Sequence, residues 1–114
     1  MKNLLTALVL YVVSAAAVAE VHVDATYCNG RALLAKATAE ARDRKTKLKE
    51  WNRNLSLIKT KVSRKKNPLL YTTIPAAIKD ASWIYKTHRD PVDVYLTTFN
   101  RCMAASRGRY VAVN

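Results

Sequence analysis

The chain has 114 residues, enough for one domain and too few for two. It is 50% hydrophobic but holds only two glycines and three prolines, and no pair of alternating runs flanks its single Asn-Gly, which argues against a turn-rich β architecture. Twenty lysines and arginines against eight acids give a formal net charge of +12, a balance that favours anionic partners.

The first element is a targeting segment. Lys2 provides a positive start, residues 4–13 are apolar apart from Thr6, and residues 14–19 are rich in small side chains. Ala17-Val18-Ala19 fits the signal-peptidase pattern, with Glu20 as the first mature residue; Ala15-Ala16-Ala17 offers a competing cut. The 16 residues 4–19 fall short of the roughly 20 that a membrane-spanning helix needs. Cys28 lies well beyond the apolar run and follows no lipobox-like sequence. The expectation is a cleaved signal over residues 1–19. Residues 20–114 then form one periplasmic or secreted helical domain, not transmembrane after cleavage, with a short disordered leader containing His22 and a frayed tail from Tyr110.

Helical periodicity dominates the remainder, and three or four helices are expected. The first begins near Cys28 and runs through residues 32–44, with Ala32, Ala35, Ala39 and Arg42 on one small-residue face that permits close helix approach. The second carries Leu48, Trp51, Leu55, Ile58 and Val62 at alternating spacings of three and four, an amphipathic stripe. The spacing leaves open whether it continues the first helix or breaks near Lys45-Thr46, where Thr46 is a candidate N-cap. Asn67-Pro68 marks a connector over residues 64–71. The third helix is placed after Thr73 with Pro75 in its first turn, presents Ile74, Ala77, Ile78, Ala81, Ile84 and Tyr85, and ends near residues 87–89 with His88 in its last turn. The last has the clearest start: Asp90 as N-cap, Pro91 at the first position and Asp93 near the positive dipole end. Val92, Tyr95, Leu96, Phe99, Cys102 and Met103 trace its expected buried stripe, and Gly108 marks its end or lies just beyond.

Two cysteines remain after the signal, and an exported address is oxidising, so Cys28 and Cys102 are expected to form the one possible intramolecular disulfide, with free or intermolecular thiols as the alternative. With only two distant histidines beside them they make no metal-binding spacing, and they are too far apart for a C-x-x-C redox pair. Pairing them requires the first and last helices to be neighbours. The fold class is therefore all-α, a small bundle of three or four helices stapled by one disulfide.

Several short elements resemble a group of small, exported, uncharacterised proteobacterial helical proteins. These are the opening Cys28, the Ala-rich Ala35-x-x-Thr38-Ala39-x-x-Arg42-Asp43, Ile84-Tyr85, Pro91, Phe99 and the closing Cys102. The resemblance covers most of the mature chain and implies an exported helical domain with paired cysteines; it implies no activity. The group often has a glycine shortly after Arg-Asp, where this chain has Arg44-Lys45.

Residues 42–66 hold eleven lysines or arginines against Asp43 and Glu50, +9 in 25 residues. Such a field attracts anions and weakens with salt. Its expected contacts are Lys45, Lys49, Arg53, Lys61, Lys65 and Lys66. In an envelope compartment the partners are anionic lipid head groups, lipopolysaccharide phosphates or cell-wall polymer; the address argues against nucleic acid. A solvated face that keeps a small protein soluble is the competing reading. Trp51 is read either as an inserting aromatic beside basic residues or, more economically, as part of the core stripe. Arg42-Asp43 is read as an internal ion pair or helix cap. No nucleophile elbow, phosphate loop, H-E-x-x-H or paired carboxylates occur, and neither histidine has a catalytic partner in sequence, so the expectation is a binding protein without metal or cofactor rather than an enzyme. The alternative function is binding another envelope protein through an apolar groove, as an adaptor, inhibitor or stress chaperone.

Overall fold

A computed structural model describes residues 20–113; the expected signal segment, residues 1–19, lies outside the described residues. Four helices form the bundle: α1 (Ala25–Asp43), α2 (Leu48–Lys61), α3 (Pro68–Lys86) and α4 (Pro91–Ala104). Helix α1 is central, packed against both α3 and α4, and α2 covers α3 from outside. The small-residue face of α1 makes this possible. Ala32, Ala35 and Ala39 are fully buried, and Ala35 and Ala39 meet Ile84 of α3 and Val94 of α4 in one cluster.

The disulfide closes the domain as the cysteine count required. Cys28 and Cys102 are bonded with their Cα atoms 5.5 Å apart, joining α1 to α4 across 74 positions of sequence. Tyr27 packs with them, and Val21, Val23, Leu69, Phe99 and Val111 surround the pair. Two of those valines belong to elements the sequence did not reveal. Strands β1 (Glu20–His22) and β2 (Tyr110–Ala112) form an antiparallel ribbon in which Val21 faces Val111, and His22 stacks on Tyr110 at 4.9 Å. The expected disordered leader and frayed tail are thus paired backbone, and the ribbon helps cover the cross-link.

Several element boundaries also move. Helix α1 begins three residues before Cys28, because the Asp24 carboxylate accepts from the Tyr27 N–H and so caps it. Helix α3 begins at Pro68, not after Thr73: Asn67 caps it by accepting from Leu70 N–H, Pro68 occupies the first turn, and Pro75 lies inside. Pro75 cannot donate to the Tyr71 carbonyl, while the neighbouring Thr72 and Thr73 hydroxyls donate to carbonyls of the first turn. His88 falls beyond the helix, past the Thr87 C-cap. In α4 the cap at Asp90 is as expected, its side chain accepting from Asp93 N–H. Its buried line, however, is Val94, Thr98 and Cys102, leaving Val92 59%, Leu96 50% and Met103 36% exposed.

Helices α1 and α2 are separate. Lys45 sits at φ +67°, its N–H donating to Arg42 O and the Thr46 N–H to Ala41 O, which together close a Schellman-type helix end. Thr46 does not cap α2: the N-cap is Lys47, with no side-chain bond, and the Thr46 carbonyl instead accepts from the Tyr85 hydroxyl. Arg42 secures the far side of the junction, donating to the carbonyls of Ile84, Thr87 and Arg89 where α3 ends, and to Asp43. A left-handed residue bearing a Cβ costs roughly 1–2 kcal/mol, partly offset in glycine by about 0.5–1 kcal/mol of backbone entropy. Lys45→Gly is therefore expected to stabilise the fold by about 0.5–1 kcal/mol, read as a higher urea midpoint with unchanged slope; a lower midpoint would contradict the junction described.

Candidate functional site: the basic outer face of helix α2

Helix α2 turns its apolar side to α3. Leu55 is buried against Ile74 and Ala77, with Trp51 and Val62 partly buried beside it. The Trp51 indole N–H donates to the Thr38 hydroxyl at 2.9 Å, which fixes this ring inside the bundle and removes it as an inserting aromatic. Ile58, expected on the same buried stripe, is 46% exposed: it stands at the edge of the arc that α3 covers.

The six basic residues singled out by sequence are all exposed. Lys45 stands in the α1–α2 connector, Lys49 and Arg53 on the first turns of α2, Lys61 at its end, and Lys65 and Lys66 in the connector to α3. They do not converge on a pocket. They line a strip along a 14-residue helix, about 20 Å long at 1.5 Å per residue. Among the described residues none of the six forms an ion pair, and of the two acids in the stretch Asp43 is already held by Arg42. The strip's positive field is therefore little compensated. Lys59 behaves differently, its ammonium lying 4.9 Å from the centre of the Tyr71 ring.

Sequence periodicity missed the apolar member of this face. Leu57 is 52% exposed, one turn after Arg53 and one turn before Lys61, so Lys49, Arg53, Leu57 and Lys61 follow one another at four-residue spacing within roughly a third of the helix circumference. The signal was present: Leu57 lies off the stripe that contains Leu48, Trp51 and Leu55, hence on the charged side. No helix of the described residues is long and apolar enough to cross a membrane.

Fold and site together define a small disulfide-closed helical bundle with an apolar side chain set in a basic strip. No family model, curated protein or solved structure matches the chain.

Proposed function

We propose that the protein, exported and oxidised, docks the outer face of α2 and its flanking connectors onto an anionic envelope surface: lipid head groups, lipopolysaccharide phosphates or cell-wall polymer. The carrying observation is Leu57 exposed amid unpaired Lys49, Arg53 and Lys61. An apolar side chain flanked by cations suits the boundary between charged head groups and acyl chains. The connector lysines Lys65 and Lys66 extend the same field.

The test is co-sedimentation of the disulfide-bonded protein with anionic and with neutral vesicles. Binding to anionic vesicles alone is expected, lost above about 0.5 M salt, where the Debye length is only a few Å. Each basic residue near such a surface contributes about 1 kcal/mol, so Lys49→Glu with Arg53→Glu should weaken binding at least thirtyfold or so. Salt-insensitive binding, or none, would overturn the proposal.

A second reading has one observation in its favour. Val92, Leu96 and Met103 form an exposed apolar line along α4, which suits a protein-binding adaptor, inhibitor or stress chaperone. Suppression of client aggregation that disappears in Leu96→Glu, with no vesicle binding by the parent protein, would favour it.

A further inference from the structure

The ribbon, α1, α3 and α4 line a cleft of about 300 Å³. This is the lower end of the volume range of small-molecule sites. No residue of α2 or its connectors lines it.

Its floor is a neutral pair. Arg31 Nε and Nη2 donate to the two oxygens of Asp80, both at 2.8 Å. Two further guanidiniums complete the lining. Arg101 lies over the Trp83 ring, 5.2 Å from its centre, and Arg109 stands at the entry to β2. Among the described residues neither is paired with a carboxylate, so the cleft keeps two positive charges after Arg31 and Asp80 cancel. The neutral polar groups are donors too. Tyr27 is 3% exposed, and burial pushes its phenol above the ordinary value of 10.0, so its O–H stays protonated at neutral pH. Thr98 is 4% exposed, and its buried hydroxyl has no hydrogen-bond partner among the described residues. That oxygen has less than 1 Å² of accessible surface, so it lies behind the lining and not at the face of the cleft. Val23, Val111 and Cys102 supply apolar wall.

We infer that this cleft binds a compact organic oxyanion, a phosphate monoester or a dicarboxylate, with Arg101 and Arg109 on the anion. The planar guanidinium fork matches the oxygens of either group, and Trp83 and the apolar wall accommodate a small flat body. The site is independent of the proposed docking face.

Isothermal titration of the disulfide-bonded protein with phenyl phosphate, phthalate and neutral benzamide tests the inference and separates the two anion types. Saturable one-to-one binding of phenyl phosphate or phthalate, but not of benzamide, is expected. Arg101→Gln and Arg109→Gln should each weaken it at least tenfold. Lys49→Glu with Arg53→Glu should leave it unchanged. No saturable binding of either anion in the millimolar range, equal binding of benzamide, or full affinity in both folded arginine variants would overturn it.

Discussion

Replacing Cys28 and Cys102 together by alanine is expected to lower the unfolding free energy by about 4–5 kcal/mol, the chain-entropy value for a loop closed over 74 positions. For a domain of this size each kcal/mol moves Tm by roughly 4–8 °C, so the shift should be about 20–30 °C. Total stabilities of small domains are only about 5–15 kcal/mol, which makes this one bond a large share. The interior explains the dependence. Its fully buried residues include Ala32, Ala35, Ala39, Ala41, Ala77 and Ala81, which bring helices close but bury little apolar area each. Cys28 is fully buried and Cys102 nearly so, so truncation also removes packing against Tyr27. Thermal unfolding followed by circular dichroism checks the prediction. A shift below about 5 °C would mean that helix packing alone holds the fold.

The second large effect concerns Arg31 and Asp80. The bidentate bond to Asp80 raises the Arg31 pKa above its ordinary value despite burial, and a guanidinium is basic enough to stay charged without that partner. With the side chains 29% and 10% exposed, Asp80→Ala leaves a partly desolvated cation without its counter-charge. Breaking a fully buried pair costs about 3–5 kcal/mol; discounted for the exposure of Arg31, about 2–3 kcal/mol is expected here. Arg31→Met combined with Asp80→Leu should recover most of that loss, because the apolar pair has no charge to desolvate. Chemical denaturation of Arg31→Met, Asp80→Leu and the double variant measures the coupling. Coupling above about 1.5 kcal/mol is expected, and additivity within about 0.5 kcal/mol would contradict the pairing.

What was legible in the sequence was local. The Asp90-Pro91 start of α4, the three-and-four spacing of α2 and the alanine face of α1 each rest on residues within a few turns. With two cysteines in the chain, there was one intramolecular pairing to make. The missing parts depend on distant partners. The ribbon joins three-residue segments from opposite ends of the domain, too short for alternation to register, and its stability comes from Val21 and Val111 packing over the disulfide. Both Pro68 and Pro75 suit a first helical turn, and only the Asn67 side chain accepting from Leu70 decides for the former. Helix α4 has a wide apolar arc from Cys102 through Tyr95 and Phe99 to Leu96, so its own pattern could not orient it toward Val94 and Thr98. Bonding Cys102 to Cys28 and fitting Val94 against Ala35 and Ala39 does so.

The two candidate sites divide the same way. The basic strip could be read directly because its charges fall within one short stretch of the chain, and it needed only the helix to place Leu57 among them. Arg31, Asp80, Arg101 and Arg109 are scattered along the sequence, and nothing in their local contexts distinguishes them from other surface charges. Lys45 is an instructive departure: it takes a backbone conformation usually given to glycine, because the hydrogen bonds from its own N–H and from Thr46 close the end of α1.

One covalent link, between α1 and α4, closes this domain. Peptide mapping without reduction, on protein recovered from its native compartment with thiols blocked at lysis, addresses that link directly. One cross-linked species joining the Cys28 and Cys102 peptides is the expected result; both cysteines recovered as blocked free thiols would contradict it.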